Sequence, residues 1–123
     1  FVKSAVCADG KPSVTHFEPL ATAAGFTLAR VRTESGRKHQ IRVHAHWMGY
    51  PLVGDKIYGP DDRLYLEFID KGWSVAMAAR LHLPRQALHC AEIDLRAVKI
   101  EPVFLAPLAE DMRRFCAEHG LAL

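Results

Sequence analysis

The sequence predicts an α+β fold, with a mainly antiparallel mixed sheet and flanking helices. Three runs in the first third of the chain have the residue content and approximate alternation of strands, and short turn sequences separate them. Helical periodicity then takes over, with glycine and proline near the ends of the helical segments. Strands followed by helices are typical of the α+β class.

Short connections between the first three predicted strands favour an antiparallel meander. The first connection is the turn sequence Asp9–Pro12, which contains Gly10 and Pro12. A later alternating stretch and a short partner complete the predicted set. The predicted strands are Val2–Ala8, Ser13–Leu20, Phe26–Thr33, Ala87–Leu95 and Val98–Ile100.

Helices are expected where apolar residues recur every three or four positions. The predicted helices are Lys38–Met48, one beginning near Asp61 or Asp62, Ser74–Leu81 and Leu108–His119. Gly49, Gly72 and Gly120 are expected to end three of the helical segments. The residues expected to face the core are Ile41, Ala45, Met48, Leu64, Phe68, Ile69, Leu108, Met112, Phe115 and Cys116.

Composition favours a packed domain, because half of the residues are hydrophobic and 24% are charged. No run of apolar residues is long enough to predict a membrane span. The chain begins with Phe1 and not with Met, so we expect a piece of a longer protein. Its start shows no signal peptide pattern. The three cysteines are far apart and odd in number, which favours reduced thiols in the cytoplasm over disulfides.

Basic residues are concentrated in one stretch, although the formal net charge is only +2. Between Arg30 and Arg42 only Glu34 is acidic, while the basic residues of the stretch are Arg30, Arg32, Arg37, Lys38 and Arg42. This stretch leads into a predicted helix, whose free backbone N–H groups attract anions. Charge alone leaves two interpretations equally open, a phosphate-binding surface and a solvated helix start.

Arg42 is the candidate of greatest interest in this helix. It lies on a flank next to the apolar stripe, so we expect it to need an acid or a phosphate as partner. The nearby histidines, His39, His44 and His46, do not converge on one face at ligand spacing, so no metal site is predicted.

Five segments, in order along the chain, resemble motifs of RluA-type RNA pseudouridine synthases. Thr33–His44 resembles T-G-R-x-H-Q-I-R-V-H, with Ser35–Gly36 in place of Thr-Gly, and Gly49–Gly59 resembles G-x-P-[IL]-x-G-D-x-x-Y-G. Ser13–Phe17 is similar to A-x-T-x-F, Gln86–Cys90 to Q-A-L-H-A, and Ala106–Leu108 to the start of A-P-L-P. One H-Q-I-R match would be weak, but the ordered set covers nearly the whole chain.

This resemblance implies that residues 1–123 are the C-terminal portion of a single pseudouridine synthase catalytic domain. The family's H-R-L-D segment, which supplies the nucleophilic aspartate, has no match here, and neither has the family's active-site tyrosine. The resemblance implies an intact protein that isomerises specific uridines of ribosomal or transfer RNA without a metal or organic cofactor. We expect the chain alone to be inactive.

The resemblance also assigns roles to residues. It implies that Arg42 pairs with the missing catalytic aspartate. We expect Arg42→Met in the intact protein to nearly abolish pseudouridine formation with little loss of fold. Leu88 is expected near the target base. The residues expected to bind RNA or support its binding are Arg37, Lys38, His39, Gln40 and His44.

Two other classes of function remain open from the sequence. A non-catalytic RNA-binding module would use the same basic helix start, and an enzyme of small metabolites would use it as a phosphate site. RNA is the expected partner and a membrane is not. Unpaired strand edges also predict that the chain associates with itself.

Overall fold

The computed structural model describes residues 2–8, 11–34, 36, 38–61 and 63–122, and the side chains of all these except 2–8, 11 and 12. These residues form an α+β fold with four α-helices and two small antiparallel sheets. The predicted class is confirmed at this level.

The larger sheet is the predicted antiparallel meander. Its strands are β1 (Val2–Ala8), β2 (Lys11–Ala23) and β3 (Phe26–Thr33), in the spatial order β1-β2-β3. β2 continues three residues past its predicted end at Leu20. Its pairing with β3 shifts in register between Pro19 and Ala21 and then continues to Ala23. Ala24 and Gly25, both with positive φ, form the tight connection to β3.

All four α-helices lie where helices were predicted, although each begins or ends slightly differently. They are α1 (Gln40–Trp47), α2 (Arg63–Lys71), α3 (Val75–Leu81) and α4 (Glu110–Glu118). The Ser74 hydroxyl accepts a hydrogen bond from the backbone N–H of Met77 and so caps α3. The expected glycines follow α1, α2 and α4 with φ values of 86°, 74° and 74°.

The strands predicted after residue 86 were largely wrong. Ala87–Leu95 contains only the two-residue strand β4 (Glu92–Ile93), whose antiparallel partner is β5 (Phe104–Leu105). The predicted partner strand, Val98–Ile100, is absent from the described structure. Val98 instead ends a short 3₁₀ helix, Arg96–Val98, and residues 99–100 follow it. Residues 90–102 are all exposed, so their alternation does not correspond to a buried face.

Two apolar clusters form the core. One joins α2 and α3 through Leu64, Met77 and Leu81, with Phe68 packed against it. The other places α4 on the meander, and its members are Phe115, Cys116, Leu121, Ala21, Ala23, Phe26, Leu28, Val53 and Leu83. Ile69, which was expected to face the core, is 63% exposed, so this prediction was wrong.

In the part of the chain that the structure describes, no helix is long and apolar enough to cross a membrane.

Candidate active site

Polar side chains of helix α1 bond to the meander. His44 is almost fully buried, with Nδ1 2.6 Å from the Thr15 hydroxyl and Nε2 3.3 Å from the Ser13 hydroxyl. Gln40 Nε2 donates to the Thr15 hydroxyl oxygen and to the Val14 carbonyl, both at 2.9 Å. These bonds fix the rotation of α1 relative to β2.

The buried environment of His44 favours its neutral form. Burial lowers the pKa of His44 below its ordinary value, because the imidazolium cation would lose its hydration. His44 and Gln40 were both predicted to bind or support RNA. Their burial, at 2% and 6% exposure, leaves almost no surface for a direct contact, so their support would be indirect.

Arg42 projects from the other side of α1 to a carboxylate of the following loop. Its Nε donates to Asp55 Oδ2 and its Nη2 to Asp55 Oδ1, each at 2.8 Å. This bidentate pair is strong in geometry and well shielded, because the Asp55 side chain is fully buried and that of Arg42 is 12% exposed. Arg42 was expected to need an acid or a phosphate as partner, and an acid of this chain, Asp55, takes that place.

Asp55 is held as a carboxylate by several donors. Burial by itself would raise its pKa, but the bonds from Arg42 and from the backbone N–H of Tyr58, with smaller contributions from the Arg42 charge and the Ile57 N–H, lower the pKa below its ordinary value. Oδ1 accepts from the N–H groups of Ile57 and Tyr58 at 3.1 Å and 3.0 Å. Gly59 is required next to this turn, since a Cβ there would lie 1.9 Å from the Asp55 carbonyl oxygen.

Tyr58 supports Arg42 from a second direction. The guanidinium carbon of Arg42 lies 5.1 Å from the centre of the Tyr58 ring, a cation–π distance. The Tyr58 hydroxyl oxygen lies 3.0 Å from Nδ1 of His39. His39 precedes α1 in a left-handed conformation with φ of 55°, which turns its side chain towards this tyrosine.

The guanidinium of Arg42 keeps one edge open. Nε and one hydrogen of Nη2 point to Asp55, whereas Nη1 has no hydrogen-bond partner among the described residues. A guanidinium has five N–H donors in a fixed fork, so this edge can receive a second carboxylate or a phosphate. Asp55 itself is fully buried and engaged by Arg42, which makes it unsuited to attack a substrate.

The other predicted site residues lie in different surroundings. Lys38 is exposed ahead of α1, and Leu88 is half-buried in an extended segment after α3. His39 contacts Tyr58, as described above. Arg37 lies outside the described residues.

Sequence reasoning missed three contributors to this site, namely Asp55 as partner of Arg42, Tyr58, and Thr15 as partner of His44. Asp55 and Tyr58 are fixed positions of the G-D-x-x-Y-G resemblance, and the expectation of an acid next to Arg42 could have selected Asp55. Thr15 and His44 are 29 positions apart, and the periodicity of apolar residues in a sequence does not predict such a contact. Across the described residues, no group of three or more His, Cys, Asp or Glu side chains is placed to hold a metal ion.

Comparison with known proteins gives the same family as the motifs. A family described as RNA pseudouridylate synthase matches residues 1–47, which include the meander and α1. Curated relatives with related names extend the similarity to 84–91% of this chain. Over most of its length, this chain is similar to RNA pseudouridine synthases.

The relatives include an uncharacterized RNA pseudouridine synthase of Chloroflexus aurantiacus, 38% identical over 91% of this chain and 31% of the relative. Ribosomal large subunit pseudouridine synthase D of Pseudomonas aeruginosa is 41% identical over 89% of this chain and 33% of the relative. The Escherichia coli K12 protein of that name is 41% identical over 84% of this chain and 31% of the relative. The chain thus spans about a third of the length of these relatives.

Proposed function

We propose that this chain is the C-terminal portion of a pseudouridine synthase catalytic domain, and that it supplies the arginine that faces a catalytic aspartate from elsewhere in the complete protein. The observation that carries this proposal is the geometry of Arg42. Its guanidinium is shielded and fixed on one edge by Asp55, and its Nη1 has no hydrogen-bond partner among the described residues.

The proposed role of Arg42 follows from the chemistry of a carboxylate in a partly dry site. Such a carboxylate tends to take up a proton, because burial disfavours the charged form. A guanidinium opposite it keeps it ionised and fixes its orientation through two parallel hydrogen bonds. The bond to Asp55 prevents Arg42 from turning towards solvent.

The proposed reaction is an isomerisation within RNA. The bond between N1 of uracil and C1′ of the ribose breaks with the help of the aspartate, the base rotates, and C5 bonds to C1′. The proton on C5 is released and N1 gains a proton, so no oxidant or cofactor is consumed. The target uridine has to leave its stack to reach the aspartate, which costs a few kcal/mol.

RNA of the large ribosomal subunit is the substrate we propose, because relatives similar over most of this chain carry that subunit in their names. Lys38 and Arg32, exposed near the start of α1, are proposed to contact phosphates, together with Arg37. Leu88 is proposed to contact the target base. We propose the cytoplasm as the compartment, which fits the free thiols of Cys90 and Cys116.

The test is a tritium-release assay on the complete protein. Ribosomal and transfer RNA labelled with tritium at C5 of uracil would be incubated with it, since tritium leaves only when C5 forms the new glycosidic bond. We expect release from ribosomal RNA. We expect Arg42→Lys, which keeps a cation near Asp55 but loses the fork, to lower kcat by at least about a hundredfold.

Arg30→Lys is the matched control, because Arg30 pairs loosely with Glu18 at 3.6 Å on the exposed face of the sheet. It should leave kcat unchanged. Normal turnover by Arg42→Lys would refute the role of Arg42. RNA binding without any tritium release by the complete protein would instead favour the binding module.

A further inference from the structure

The Arg85 guanidinium donates both to a carboxylate and to backbone carbonyls. Its Nε and Nη2 donate to the two carboxylate oxygens of Asp111 at 2.8 Å and 2.7 Å. Its Nη1 donates to the carbonyl oxygens of Gln86 and Leu88 at 3.1 Å and 3.4 Å. One side chain thus connects the first turn of α4 to the extended segment that contains Leu88.

The same segment is attached to the loop that holds Asp55. The backbone N–H of Ala87 donates to the Val53 carbonyl at 2.7 Å. Gly54 lies directly against the Arg85 backbone, and a Cβ on Gly54 would come within 1.9 Å of the Arg85 carbonyl oxygen. Helix α4, the Leu88 segment and the Asp55 loop therefore meet at Arg85.

Residues 86–91 belong to neither helix nor strand, and the described residues show no backbone hydrogen bond to another segment between Ala87, which bonds to Val53, and Ala91, which bonds to Ala106. The carbonyls of Gln86 and Leu88 accept from the Arg85 side chain instead. We propose, resting on the function proposed above, that Arg85 and Asp111 are a positioning pair that fixes Leu88 relative to Arg42 during the reaction.

The pair is suited to positioning more than to stability. The side chains of Arg85 and Asp111 are 41% and 36% exposed, and ion pairs with such exposure contribute little to folding. The hydrogen bond from Arg85 lowers the pKa of Asp111, so the acid stays ionised at neutral pH. A small displacement of a substrate contact, by contrast, reduces turnover steeply.

The test uses Arg85→Lys and Asp111→Asn in the complete protein, with tritium release as the assay. Lysine keeps a cation opposite Asp111 but cannot also reach both carbonyls, and asparagine keeps an oxygen that can cap Met112 N–H. We expect each variant to lower kcat by about ten- to a hundredfold, with KM changed less than threefold and a melting temperature within a few degrees.

Glu110→Gln is the matched control, because Glu110 precedes Asp111 on α4 and pairs only with Arg113 and Arg114 among the described residues. It should leave kcat unchanged. Arg85→Lys and Asp111→Asn would each also be combined with Leu88→Ala. If Arg85 acts through Leu88, the losses in kcat will be markedly less than multiplicative.

The positioning role would be overturned if the losses of kcat in the double variants were multiplicative. It would also be overturned if kcat fell only in proportion to a lowered melting temperature. Normal kcat in both single variants while Leu88→Ala is impaired would overturn it as well. If the wild-type protein releases no tritium, or if Leu88→Ala turns over normally, the function or base contact proposed above fails instead. The two failures are therefore distinguishable.

Discussion

Arg42 has two consequences for this chain, one for folding and one for the proposed reaction. Its partner Asp55 is fully buried, so the guanidinium neutralises a charge that water cannot reach. The expectation from sequence that Arg42→Met would cause little loss of fold took no account of Asp55, and the buried pair gives a reason to expect a larger loss. Loss of activity in that variant alone would not separate catalysis from unfolding.

Arg42→Met should destabilise the chain by about 3–5 kcal/mol, because it leaves a buried carboxylate with only backbone donors. Chemical denaturation measures this change. Arg42→Met combined with Asp55→Leu should recover part of the loss, since the unpaired charge is then removed. Arg30→Met, at an exposed pair, should change stability by less than about 1 kcal/mol. Equal effects at the two arginines would contradict the structural role of the Asp55 pair.

His44 predicts a dependence of stability on pH. Its pKa in the folded chain lies below the value of about 6.5 expected when unfolded, so the unfolded chain binds a proton first as pH falls. Stability should therefore decrease from about pH 7 down to the folded pKa and level off below it. Denaturation at a series of pH values measures the slope.

His44→Gln should reduce that slope, whereas His46→Gln, at an exposed position on the same helix, should leave it unchanged. An unchanged slope in His44→Gln would show that other groups account for the pH dependence.

At the scale of elements, the loop after α1 matters more than its lack of regular structure suggests. Residues 52–59 supply Asp55 and Tyr58 to Arg42, and Val53 and Gly54 to the junction with Arg85. Gly54 lets the loop lie against the Arg85 backbone, and Gly59 lets the loop turn closely onto its own Asp55 carbonyl, because neither residue has a Cβ.

Gly54→Ala tests this packing, and Gly49→Ala is its control. Both glycines have similar positive φ values, 80° and 86°, but nothing lies within 4 Å of a Cβ on Gly49. Both variants lose about 1–2 kcal/mol from backbone conformation. Gly54→Ala should lose roughly 1–3 kcal/mol more, because the loop and residues 83–85 must separate. Chemical denaturation compares the two, and equal losses would contradict the close packing.

The sequence was informative where local pattern and burial agree. The meander and the four helices followed from alternation, helical periodicity and glycine positions. The region after residue 86 did not, because a strand depends on a partner that lies far away in sequence, and alternation at exposed positions carries no information about one. At the site, motif resemblance selected Arg42, but its partner came from a side-chain contact across 13 positions.

At the scale of the whole molecule, the described part of the chain has open sheet edges. β1 and β3 are the outer strands of the meander, and β4 and β5 pair only with each other. Apolar residues are exposed on the second sheet, with Phe104 at 47% and Leu105 at 75%. Such edges and apolar groups favour association between chains.

Sedimentation of the isolated chain should show a mass that rises with concentration. Leu105→Lys should shift this association to higher concentration, because a charge at an exposed edge opposes strand pairing. Val75→Lys is the control, since Val75 is 89% exposed but lies on α3. A monomer at all concentrations would refute self-association, and equal effects of the two lysines would refute its location at the edge.

The hydrogen bonds between Asp55 and Arg42 also affect how readily Arg42 can bind a second carboxylate, the aspartate of the proposed function. A free arginine side chain has up to about 2 kcal/mol of rotamer entropy to lose when it is fixed. Here most of that loss occurs as the chain folds, before any other segment arrives. For the function proposed above, we therefore expect a separately produced polypeptide that carries the proposed aspartate to bind an arginine already fixed in place, and so to complement this chain.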